Sequence, residues 1–132
     1  METKNKITNG TIILFIGLIH IVCAFMPYLY GRQFLQFSKF YFFHIKMDYE
    51  SFAAFWFLYF GLALALIGLA VHFPEKERKI LPKSFIILYF IFVLIGCYMI
   101  PFSGMTYFML PHAIYMSISN YLKARKLKRS GL

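Results

Sequence analysis

Apolar residues along this chain come in long, nearly unbroken runs divided by short polar stretches, not in the rhythm of a half-buried helix or strand. Thr11 to Tyr30 is such a run, and about 20 residues of helix cross a hydrocarbon core of about 30 Å. A second run extends from Phe52 to Phe73, where Pro74 and the charged stretch from Glu75 to Lys79 stop it. A third covers Phe85 to Ile100. The fourth, Thr106 to Leu122, is shorter and carries Pro111, His112, Ser117, Ser119 and Asn120. The connection before it, Pro101-Phe102-Ser103-Gly104-Met105, has the residues of a tight turn between antiparallel helices, with a re-entrant helix as the alternative.

Composition turns these runs into a class. Of 132 residues, 61% are hydrophobic and 21% aromatic, and only 14% are charged, against roughly 25% in ordinary soluble domains. A soluble globular domain is excluded by this reading, and the expectation is an all-α integral membrane four-helix bundle, one multi-pass domain over residues 1–132. A signal peptide is the rival for the first run, but no A-x-A-like cleavage site follows it. Cys23 and Cys97 both fall inside apolar runs, so no disulfide framework is expected.

The net charge of +9 would suggest nucleic acid if the cations formed a solvated face, but they lie between the apolar runs. Lys4 and Lys6, then Lys76, Arg78, Lys79 and Lys83, then Lys123, Arg125, Lys126, Lys128 and Arg129 flank one side of a four-span topology. Arg32, Lys39 and Lys46 flank the other. The positive-inside rule therefore puts both termini in the cytoplasm of a cell whose inner membrane holds the chain, with the lipid bilayer as partner, no nucleic acid, and the basic tail against anionic headgroups.

The outer connection from Gly31 to Ser51 is too charged to span and too aromatic for an idle linker. Phe34, Phe37 and Tyr41 share a helical face, which predicts a short amphipathic segment at the interface, serving as an anchor or as a lid. Asp48, Glu50 and Ser51 precede the second run as a helix N-terminal cap would.

Helices in lipid associate through close packing and shared polar groups, so small residues mark the seams. Gly17 and Ala24 keep one face of the first span, Gly61 and Gly68 one face of the second with Ala54, Ala65 and His72, and Gly96 serves the third. His20 lies on the Gly17 and Ala24 seam and should point into the bundle, where a titratable group is either a hydrogen-bonding tie between helices or the centre of ligand or proton chemistry. His112 is its natural partner, the two depths differing by about 6 Å of helix rise. Trp56, among Phe55, Phe57 and Tyr59, reads as an aromatic belt that can also line a pocket, and Ser103 belongs to the turn.

No Ser/His/Asp order, phosphate-binding loop or paired-carboxylate motif is present, and a zinc site lacks a third ligand. No metal and no cofactor is expected. Haem held by His20 and His112 is the alternative.

The run Phe55-Trp56-Phe57-Leu58 with Gly61, Leu64 and Gly68, followed by Pro82, Pro101-Phe102-Ser103-Gly104 and Pro111, resembles a family of small bacterial four-helix membrane proteins catalogued as a domain of unknown function. Gly17 and His20 fit the same pattern. In gross architecture the chain is also similar to DoxX-like proteins and to the sterol-isomerase-like fold. The resemblance implies a fold and no reaction.

Three functions are expected in order. The first is a non-enzymatic membrane protein whose interior, near His20, Trp56, Ser103 and His112, holds a lipophilic small molecule. The second is a redox or proton-transfer enzyme or subunit using the intramembrane histidines. The third is an accessory that packs into a homo-oligomer or a larger membrane complex.

Overall fold

The computed structural model describes residues 7–26, 29–38, 49–77 and 79–129. Among these residues all regular structure is helical. The order is α1 (Asn9–Ala24), α2 (Gly31–Ser38), α3 (Tyr49–Lys76), α4 (Lys83–Met99) and α5 (Leu110–Arg129), with a π-helical turn at Met105–Met109 leading into α5.

Among the described residues only α3 is long and apolar enough to cross a membrane by itself; α1 and α4 are shorter apolar helices of 16 and 17 residues. This differs from the four full spans expected, and the shortening of the first has a local cause. The first run was expected to reach Tyr30, but α1 ends at Ala24, where Phe25 N–H and Met26 N–H bond three residues back, to Val22 and Cys23. The sequence then places Pro27, which disfavours helical geometry in the residue before it. Met26 C=O next accepts both Leu29 N–H (3.0 Å) and Gly31 N–H (3.1 Å), turning the chain into α2. A Cβ on Gly31 would lie 2.9 Å from Phe25 O, so only glycine fits that close return.

Helix α3 behaves oppositely. Pro74 was expected to stop it, yet the helix carries Pro74 inside and runs to Lys76. A proline forfeits one i→i−4 bond, and close to a C-terminus few turns remain to be disturbed. The fourth run begins later than expected and continues through the basic residues to Arg129. Pro111 sits in its first turn, where a missing N–H costs little, and the wider π turn ahead of it gives its ring room. Ser117 Oγ donates to Ala113 O (2.8 Å) and Ser119 Oγ to Met116 O (3.1 Å), so both hydroxyls are satisfied within the helix.

The chain divides into two compact units, Ile13–Leu69 and the combination of Met1–Ile12 with Ala70–Leu132. In the first, α1 and α3 run antiparallel at backbone contact. A Cβ on Gly17 would stand 2.7 Å from Ala65 N and 2.9 Å from Gly61 O, and a Cβ on Gly61 2.9 Å from the Ile21 side chain. In the second, α4 and α5 pack as an antiparallel hairpin closed by the π turn, and Val93, Met109, Ala113 and Met116 of this unit are buried.

Of the outer connection, α2 is helical, with Phe34 tilted against Phe25 at 4.7 Å and Gln33 Nε2 donating to Glu50 Oε2 at 3.0 Å. Glu50 lies in the first turn of α3 and Ser51 is buried there. The side chain of Phe37, and Tyr41 and Asp48 altogether, lie outside the described residues.

Candidate functional site

The unit formed by residues 7–12 and 70–129 carries the densest polar chemistry, at two places. The first is built on the start of α1. Thr8 precedes the apolar run and acts as its N-cap, Oγ1 accepting Thr11 N–H at 3.0 Å. Gly10 N–H, another of the donors a helix start leaves without a helical acceptor, is taken by Glu75 Oε2 at 3.2 Å. Glu75 Oε1 accepts from Asn9 Nδ2, and Lys123 Nζ stands 3.6 Å from the same oxygen. The Glu75 side chain is 3% exposed, so a carboxylate is buried on the positive end of a helix dipole and a lysine shares its charge. Beside it, the Thr8 and Thr11 hydroxyls lie 2.8 Å apart and 2.9 and 3.1 Å from His72 Nδ1. These contacts bind the end of α3 and the late part of α5 to the first turn of α1.

The second place is in the α4–α5 hairpin. Tyr89 on α4 and His112 on α5 are both buried, and the Tyr89 hydroxyl bonds His112 Nδ1 at 3.1 Å with the rings edge to face. A neutral imidazole has one donor and one acceptor. Tyr89 uses one of them, and Nε2, on the far side of the ring, is buried with no hydrogen-bond partner among the described residues. The same holds for Ser103 Oγ in the turn and Thr106 Oγ1 in the π turn. A π turn has its carbonyls and amides out of α register, and such turns recur at functional sites. The hairpin can therefore offer hydrogen bonds to a polar group that reaches these atoms. Among the described residues no group of three His, Cys, Asp or Glu could hold a metal ion.

His20 and Trp56 belong to the other unit. His20 stacks on Phe57 with ring centroids 3.9 Å apart and meets Phe60 edge-on at 5.2 Å. Trp56 is half-exposed and sits in an aromatic group with Phe52, Phe55 and Tyr59. His20 and His112 thus each have a partner inside their own unit, a Phe57 face for one and a Tyr89 hydroxyl for the other. Of the residues read as helix seams, Gly17, Gly61 and Ala65 lie at the closest approach of α1 and α3, Ala24 and Gly68 are buried, and Gly96 on α4 is half-buried.

Sequence reasoning missed Glu75, assigning it to a stop signal, and missed Asn9, Tyr89 and Thr106. For the α1 start a signal was present, since Thr8, three residues before the apolar run that opens at Thr11, fits a helix-start pattern. For Tyr89 none was, because a tyrosine among apolar residues has no spacing that points to His112.

The match to known families follows the same helices. Residues 4–123 fit a family described as a family of unknown function, DUF6463. The chain belongs to the DUF6463 family. That agrees with the resemblance to an uncharacterised family, whereas the likeness to DoxX-like proteins finds no support. No curated protein and no solved structure matches this DUF6463 chain. Membership accordingly assigns no activity.

Proposed function

We propose that this DUF6463 protein is a multi-pass protein of the inner membrane, holding a lipophilic small molecule through its α4–α5 hairpin. The apolar surface supports the membrane part. Phe15, Leu18, Ile19 and Val22 on α1, Leu62 and Leu66 on α3, Ile87, Leu88 and Ile95 on α4, and Ile114 and Ile118 on α5 are all exposed. Water penalises such a surface on every helix, and lipid does not. The helices shorter than 20 residues fit a bilayer that thins locally around them or whose interface they share.

The observation that carries the ligand is His112. Its ring is held from one side by Tyr89 while the buried Nε2 finds no acceptor or donor among the described residues. Leaving such an atom unmatched costs about 1–3 kcal/mol, which a ligand carbonyl or hydroxyl would offset. Ser103 Oγ and Thr106 Oγ1 extend the same demand along the hairpin. The molecule this chemistry suits is apolar along its length with one hydrogen-bonding head, and no reaction is required of the protein.

Two measurements test the reading. Alkaline carbonate extraction should leave the protein with the membranes, and release into the supernatant would sink the membrane placement. Native mass spectrometry of the protein taken from its membrane in mild detergent should show a stoichiometric bound mass that His112→Phe removes while helix content is kept. A wild-type protein free of bound mass, or a mass unaffected by His112→Phe, would overturn the ligand reading.

A further inference from the structure

The charge of the unit formed by residues 7–12 and 70–129 is not balanced within it. Its described carboxylates are Glu75 and Glu77, and both are taken, by Lys123 and by Lys79. Arg125, Lys126, Lys128 and Arg129 are all exposed, and among the described residues no salt bridge engages them.

These four do not form a frayed tail. Helix α5 continues without a break from Leu110 to Arg129, so they are held in helical order. At 100° per residue they fill an arc of roughly 160°, and Lys123 and Leu127 fall outside it. Lys123, Ala124 and Leu127 are the half-buried positions of this stretch, and Lys123 is the one that reaches Glu75. The half-buried positions face the protein, and the other four cations are exposed. Lys76 at the end of α3 and Lys83 at the start of α4 are exposed cations of the same unit.

We infer that the outward basic face of α5, Arg125, Lys126, Lys128 and Arg129, is a binding surface for the phosphate headgroups of anionic lipids. It rests on the membrane placement proposed above and not on the ligand at His112. Charge complementarity names the occupant. Four to eight cations in helical order directly beyond an apolar helix match a negatively charged leaflet, and a guanidinium holds a phosphate through two parallel hydrogen bonds. The apolar part of the same helix ends at Leu122, which brings this face to headgroup depth when α5 is in the bilayer.

The test uses the full chain in mild detergent, with phosphatidylglycerol and phosphatidylcholine of equal chain length offered in turn and bound lipid counted by native mass spectrometry. The wild type should retain phosphatidylglycerol about tenfold more than phosphatidylcholine, a preference that weakens as salt rises. The quadruple variant R125Q/K126Q/K128Q/R129Q should lose the preference while keeping its helix content. It should also keep any stoichiometric mass removed by His112→Phe, which separates this site from the hairpin. Equal retention of the two lipids, or a preference surviving in the quadruple variant, would overturn the inference. So would a short DNA duplex that displaces phosphatidylglycerol at physiological salt. Failure of carbonate extraction alone would instead defeat the membrane placement on which it rests.

Discussion

Asn120 reads the main chain of Leu81 from both sides: its Oδ1 accepts Leu81 N–H at 3.0 Å and its Nδ2 donates to Leu81 O at 3.2 Å. A side-chain amide here does what a neighbouring strand would do, and it pins the segment that opens α4 to the middle of α5. Both residues are buried, so these backbone groups have no ready replacement partner in water. Asn120→Ala should therefore cost about 1–3 kcal/mol of stability, the range for buried polar groups left unpaired. Asn120→Asp, which keeps the acceptor and loses the donor, should also destabilise. Unfolding in detergent checks both, and an Asn120→Ala protein as stable as wild type would show that Leu81 finds another partner.

Glu75 should matter through its hydrogen bonds more than through its ion pair. Removing the carboxylate in Glu75→Ala leaves Gly10 N–H and the Asn9 amide buried without an acceptor, which should cost about 1–3 kcal/mol. The Lys123 ammonium is partly exposed and stands 3.6 Å away, so Lys123→Met should cost no more than about 1 kcal/mol. A double-mutant cycle measures the difference directly. Coupling of Glu75 to Lys123 larger than to Asn9 would reverse this order.

At Gly17 the sign of a substitution is set by distance. Alanine is the better helix former, yet its Cβ would lie 2.7 Å from Ala65 N, and α1 and α3 would have to separate. Gly17→Ala should destabilise by about 1–3 kcal/mol, the usual cost of overpacking. Gly104→Ala is the control. Its nearest neighbour would be Phe108 at 3.9 Å, an ordinary contact, and its melting temperature should stay close to wild type. Equal effects at the two glycines would refute the close approach.

The His20 contact with Phe57 is a face-to-face stack, interplanar angle 19°. A flat apolar ring reproduces that contact, so His20→Phe should keep stability within about 1 kcal/mol, whereas His20→Ala should lose about 2 kcal/mol or more. Thermal unfolding of the two variants decides it. If His20→Phe were as damaging as His20→Ala, the imidazole would be needed for its nitrogens.

Element type was readable here wherever an apolar run was long, because a helix is the structure that satisfies its own backbone when water is scarce. The boundaries were less so. The Pro27 neighbourhood shortened α1 more than its apolar content suggested, while Pro74 failed to stop α3 and the basic residues failed to stop α5. A proline near a helix end forfeits little, and cations are favourable at a helix C-terminus. The histidines were visible as unusual residues in apolar runs, but their partners were not: nothing in the spacing of Tyr89 or Phe57 announces a ring 23 or 37 residues away in sequence.

By itself, the order of apolar and charged residues determined that the described chain is helical and where its cations collect, since these depend on local backbone satisfaction and on solvent preference. Only the tertiary structure decided that Glu75 caps α1, that Asn120 holds Leu81 and that Tyr89 holds one nitrogen of His112. Each is a contact between residues far apart in sequence, and its energy exists only once two helices have been brought to hydrogen-bonding distance.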